Sequence, residues 1–112
     1  MTRGAQPQKR KVILSIAKMT KDGSQDVRID VWLWRARFFK TRSIASEFIS
    51  KRGIRITRNG LTRKTDKPGT RIMIGDTLTF GRHDTLNTLE VANIGHRRGP
   101  ATEAAGLYNR LF

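Results

Sequence analysis

The sequence has no cysteine, three prolines, two histidines and nine acidic residues among 112. Without cysteine there is no disulfide staple and no thiolate zinc site. No apolar run approaches the roughly 18 residues that would span a bilayer. The patch Val12, Ile13, Leu14, Ile16 and Ala17 is shorter than a secretory h-region and lacks a small-residue cleavage site. His83 and His96 each stand without a second histidine or a carboxylate pair at ligand spacing, so both are expected as solvated surface residues. The acids are scattered, and there is no triad-like cluster, phosphate-cradling glycine loop or metal motif. Gly75-Asp76 is a turn signal only. The expectation is a protein that is not an enzyme and has no cofactor and no metal. One small domain with an appendage fills this length, and a separate catalytic domain does not fit.

What is present is positive charge. Lys and Arg number 23, giving a formal charge of +14. Net charge speaks to partners rather than fold, and this much implies a polyanion: RNA, DNA or an anionic membrane. The charge is unevenly placed. Residues 1–21 hold Arg3, Lys9, Arg10, Lys11, Lys18 and Lys21 with no acid, a net of +6. Met1–Lys11 has no apolar period, so 1–25 is expected to be a disordered basic tail, with Met19 an alternative start. Between Arg28 and Lys64 stand eleven basic residues against Asp30 and Glu47, a net of +9.

Order is expected from Asp26 onward. Asp30 is a candidate N-cap for a helix through Phe39, with Ile29, Leu33 and Ala36, and also Trp32, Ala36 and Phe39, at helical spacing. Trp32 and Phe39 belong to its core face; Trp34 and Phe38 either pack on neighbouring segments or stack on an exposed base. Thr41 can cap a second helix whose apolar face is Ile44, Ala45, Phe48 and Ile49, with Glu47 and Lys51 paired four apart and Gly53 as terminator. The period then changes to two. Ile54 and Ile56 alternate with Arg55 and Thr57, and Asn59-Gly60 is a tight-turn signal. Pro68-Gly69 marks another turn, and Arg71–Ile74, Thr77–Phe80 and Leu89–Ile94 are further strands. Pro100 opens a helix over Ala101–Leu111, with Ala104, Leu107 and Leu111 as its apolar stripe. The fold class is α+β: two N-terminal helices packed on a small twisted, mostly antiparallel sheet, plus a short C-terminal helix. The expected units are 1–25, the tail; 26–82, the two-helix and sheet domain; and 83–112, a C-terminal strand and helix extension.

The stretch Arg28-Ile29-Asp30-Val31-Trp32-Leu33-Trp34-Arg35-Ala36-Arg37-Phe38-Phe39-Lys40-Thr41-Arg42 resembles the opening of the bacterial heat-shock protein 15 family. That family carries the RNA-binding module first seen in ribosomal protein S-four, the alpha-L motif. A second segment, His96-Arg97-Arg98-Gly99-Pro100-Ala101-Thr102-Glu103-Ala104-Ala105-Gly106-Leu107-Tyr108, is similar to the part that follows the module. The resemblance implies RNA held along the second helix and the next strand, by Arg28, Arg37, Lys40, Thr41, Arg42, Ser43 and Arg52. Arg55, Arg58, Arg63 and Lys64 extend this set by proximity in sequence. The implied partner is structured RNA, specifically ribosomal RNA of the large subunit, where stalled nascent chains are handled. Weak DNA binding, a cytoplasmic location, a monomer and no membrane contact complete the expectation. Three features depart from the family: Val31 replaces a usual basic residue, the stretch between Gly53 and Asn59-Gly60 is about two residues longer, and the long basic tail of several members does not follow Phe112. Two rival readings are a DNA-binding helix-turn-helix protein and a detached accessory domain of an RNA-modifying enzyme. A third is an interaction protein that docks through its terminal helix.

Overall fold

A computed structural model describes residues 26–111; the basic tail expected over 1–25 lies outside the described residues. Strand β1 (Asp26–Arg28) leads into helix α1 (Ile29–Arg35), and a turn leads on to helix α2 (Arg42–Arg52). Five strands follow, namely β2 (Ile54–Arg58), β3 (Leu61–Thr65), β4 (Arg71–Met73), β5 (Thr77–Arg82) and β6 (Thr85–Val91). The chain closes with a single helical turn, α3 (Ala101–Ala104), a 3₁₀ turn (Ala105–Leu107) and β7 (Tyr108–Arg110). Strands β3-β2-β5-β6-β7 form one antiparallel sheet, while β1 and β4 pair in a separate two-stranded ribbon. The fold is therefore α+β, as its sequence pattern implies.

The alternation read in Ile54–Thr57 is the core-facing alternation of β2. Ile54, Ile56, Leu78, Phe80, Leu89 and Val91 are buried, and α1 and α2 cover them with Trp32, Leu33, Ala45 and Ile49, joined by Phe39 from the turn between the helices. Asn59 and Gly60 both take positive φ, 52° and 80°, in the reversal between β2 and β3, a backbone that asparagine and glycine tolerate best. Pairing runs unbroken from Ile54↔Thr65 to Arg58↔Leu61, so the longer stretch before Asn59-Gly60 is a regular strand. Val31, the family departure, is buried in the core.

Several local expectations are corrected by the structure. Asp30 does not cap α1. The N-cap is Arg28, which makes no side-chain cap bond, and Asp30 is buried and gripped by the Arg28 guanidinium. Nor does the helix reach Phe39. It ends at Arg35 because Arg37 turns to φ 67°, and the amides of Arg37 and Phe38 bond back to the carbonyls of Trp34 and Leu33. That is a Schellman closure with arginine where glycine is usual. Ile44 lies 43% exposed rather than on the buried face of α2. Leu89–Ile94 gives way to the longer, earlier strand Thr85–Val91. The long terminal helix is replaced by α3, the 3₁₀ turn and β7, with Pro100 as N-cap rather than first residue. Pairing of β7 with β6 captures this segment as a strand, a non-local gain that overrides helical spacing. Leu111 is correspondingly exposed.

Both open aromatics pack internally. Phe38 sits 5.9 Å from Phe80 and 4.9 Å from Tyr108 by ring centroids, and Trp34 packs against the core.

Candidate nucleic-acid interface

Helix α2 is the spine of the basic surface. Thr41 is extended, at φ −136°, and its Oγ1 accepts the Ile44 amide at 3.0 Å. This cap satisfies one of the helix's first N–H groups. Gly53 ends the helix at φ 78° and ψ 166°, a conformation open essentially to glycine alone. A side chain there would also strike Lys64: an added Cβ would lie 2.6 Å from its Cε. Helix α2 therefore passes into β2 with Arg52 and Arg55 on either side of Gly53, and Lys64 folded over it.

The eleven residues singled out by sequence fall into two groups. Lys40, Arg42, Arg52, Arg55, Arg63 and Lys64 are exposed, as are Thr41 and Ser43. Among the described residues none of these six cations meets a protein carboxylate or carbonyl. The other three arginines are held by acceptors of the protein itself, Arg28 and Arg37 while still exposed and Arg58 half-buried. Arg28 makes a two-pronged pair with Asp30 at 3.0 and 2.9 Å. Arg58 does the same to Asp76 at 2.8 and 2.7 Å, so Asp76 both closes the turn its sequence suggests, its amide bonding the Met73 carbonyl at 3.1 Å, and anchors Arg58. In both cases the hydrogen bond to the acid, supplemented by charge attraction, raises the guanidinium pKa above its ordinary value. Arg37 points its Nε at the Gly99 carbonyl, 2.8 Å away.

Strand register divides the exposed group further. Arg55 lies opposite Lys64 and Thr79, and directly opposed residues share a face. Arg55 and Lys64 thus belong to the outer face of the sheet, with Thr57 and Thr62, whose hydroxyls meet at 2.7 Å. Arg63 opposes Ile56 and takes the helix side. The basic residues therefore wrap the end of the sheet instead of forming one flat patch.

Sequence reasoning missed the arginines that join the two family-like segments. Arg35 Nη1 donates to the Gly95 carbonyl at 2.9 Å, and Arg98 Nε donates to the Trp34 carbonyl at 3.1 Å. Trp32 Nε1 adds a bond of 2.8 Å to the Asn93 carbonyl. These bonds cross about 60 residues, so only chemistry at both ends could have hinted at them. Arg35 has its pKa lowered by burial and then by the neighbouring charge of Arg42, a sign of how crowded positive charge is at the start of α2. Arg82, too, went unnoticed; its guanidinium lies 4.5 Å over the Phe39 ring. His83 and His96 are exposed, and no group of metal-holding side chains occurs among the described residues. No described helix is long and apolar enough to cross a membrane.

Comparison with known proteins bears on the fold and the family. The S4 domain family profile matches residues 27–60, the span from β1 through the β2–β3 turn. Heat shock protein 15 of Escherichia coli strain K12 is 39% identical over 90 residues, covering 80% of this chain and 64% of that protein. The heat shock protein 15 homolog of Aeromonas salmonicida is 34% identical over 82 residues, covering 73% and 58% respectively. The chain thus spans less than two thirds of the length of these curated relatives. A trimeric structure of Vibrio cholerae heat shock protein 15 superposes with a TM-score of 0.62 at 33% identity, covering 77% of this chain and 82% of that one. With the fold, the matched segments and a solved relative all in agreement, this chain belongs to the heat shock protein 15 family.

Proposed function

We propose that this protein binds structured RNA through the surface centred on α2 and the β2–β3 hairpin. The observation that carries the reading is the set of six exposed cations without a protein acceptor among the described residues, beside three arginines that acids or carbonyls already occupy. Lys40, Arg42, Arg52, Arg55, Arg63 and Lys64 contact phosphate, assisted by Thr41 and Ser43. Arg28, Arg37 and Arg58 hold the surface in shape. Such contacts read A-form shape and backbone more than sequence. In the cell, the partner is ribosomal RNA of the large subunit, in the cytoplasm, with no chemistry performed by this chain.

About five to eight phosphate contacts imply a slope of log affinity against log salt on the order of −4 to −7. Titration of a hairpin RNA across salt concentrations measures it, and a nearly flat dependence refutes the reading. Arg42→Glu should weaken binding to all hairpins alike; an effect on a single sequence would indicate base readout instead. Duplex DNA competing as well as RNA would favour the helix-turn-helix alternative. Co-sedimentation with free large subunits tests the cellular partner. The Vibrio cholerae relative is described as trimeric, so sedimentation equilibrium decides whether this chain binds as the monomer expected from sequence.

A further inference from the structure

Between α2 and the β5–β6 hairpin lies an open notch that borders the surface just described at Arg52. Its volume is about 470 Å³, and Phe48, Arg52, Arg82, His83, Asp84 and Leu86 contribute to its walls. That volume is within the range of small-ligand sites, about 300–1,000 Å³. The two guanidiniums here are placed by rings rather than by acids. Arg82 lies 4.5 Å from the Phe39 centroid and Arg52 lies 5.9 Å from that of Phe48. Among the described residues, neither side chain has a carboxylate or carbonyl partner. Leu86 is 66% exposed and presents an aliphatic side chain to the notch. At the hairpin tip, His83 and Asp84 take φ of 54° and 60°. This tight reversal sets an imidazole and a carboxylate on the rim.

A flat heteroaromatic ring suits this combination. Guanidinium planes and phenyl rings stack on bases whatever their identity. Leu86 offers apolar contact to the ring, and the polar rim can meet its hydrogen-bonding edge. Asp84 repels phosphate but accepts from an exocyclic amine, so a base and not its phosphate belongs against the turn. Arg52 lines the notch and is also one of the six exposed cations, which makes the two surfaces continuous. We infer that the notch receives one unpaired nucleobase, extruded from an RNA whose backbone follows α2. This inference rests on the RNA-binding reading above.

The test uses two hairpin RNAs of equal length. One has a fully paired stem, and the other carries a single bulged 2-aminopurine. The bulged hairpin should bind about tenfold tighter, the scale of one base stacked on protein, and its fluorescence should change on binding. Leu86→Ser and Arg82→Lys should each abolish that ratio, the second because lysine keeps the charge and loses the plane. Leu86 is exposed, so its variant reports even where loss of the Phe39 cover makes the Arg82 variant unfold. Equal affinity for both hairpins with unchanged fluorescence overturns the notch and leaves RNA binding intact. Failure of both hairpins to bind overturns the RNA-binding reading, and the notch falls with it.

Discussion

Replacing Arg58 by Met separates holding the surface from touching the RNA. Asp76 is 2% exposed and depends on the Arg58 guanidinium for two hydrogen bonds, at 2.8 and 2.7 Å. A third, from the Met73 amide at 2.9 Å, survives the substitution. Removing one partner of a fully buried pair costs about 3–5 kcal/mol. The Arg58 side chain is 37% exposed, so water replaces part of the loss, and the expected cost falls to about 2–3 kcal/mol. For a domain of this size that corresponds to a melting temperature lowered by roughly 10 °C or more. Urea denaturation followed by tryptophan fluorescence would place the midpoint about 2 M lower, taking about 1 kcal/mol/M for the slope. Asp76→Asn in the same chain removes the stranded charge and should recover much of the loss, giving a coupling energy in a double-mutant cycle. At a temperature where every variant is folded, Arg58→Met should bind a hairpin RNA within about twofold of the parent, the effect of one rim charge under screening. Unchanged stability, or an RNA affinity that drops as far as it does for Arg42→Glu, would refute a holding role for Arg58.

Other expectations follow from single contacts. Gly53→Ala forces a Cβ into an essentially glycine-only backbone at φ 78° and against Lys64, costing about 1–3 kcal/mol, read as a lower urea midpoint with the slope retained. Trp32→Phe leaves the Asn93 carbonyl without its 2.8 Å donor and opens space in the core; the loss should be about 2–4 kcal/mol by thermal melting. The Lys51 ammonium, hydrogen-bonded to Glu47 at 2.9 Å, holds that carboxyl below its ordinary pKa. A carboxyl depressed on folding contributes stability that is complete above its unfolded pKa and is lost as pH falls through the folded value. Both ends of the pair are exposed, so melting curves of the parent and Glu47→Gln should differ little at neutral pH and converge in acid.

Much of this molecule was legible because its signals are local. Thr41 caps because its hydroxyl reaches the amide three residues on. Gly53 stops a helix because its φ and ψ together suit essentially no other residue, and Asn59-Gly60 turns because both tolerate positive φ. The period of two in Ile54–Thr57 is written in adjacent residues, and so is the density of positive charge between Arg28 and Lys64. What escaped depends on partners distant in sequence. Asp30 has the chemistry of a cap, yet burial beside Arg28 turns it into half of an ion pair. The spacing of Ala104, Leu107 and Leu111 suits a helix, but β6 offers hydrogen bonds that make Tyr108–Arg110 a strand.

The sequence alone determined the α+β class and the density of positive charge between Arg28 and Lys64, since composition and short-range periodicity are enough for these. Tertiary structure alone decided which cations remain available. Asp76 takes Arg58 only because β2 and the β4–β5 turn converge, and Arg55 parts from Arg63 only because side chains alternate across a paired strand. A charge counts for binding when nothing nearby has already neutralised it, and that depends on neighbours the linear chain does not display.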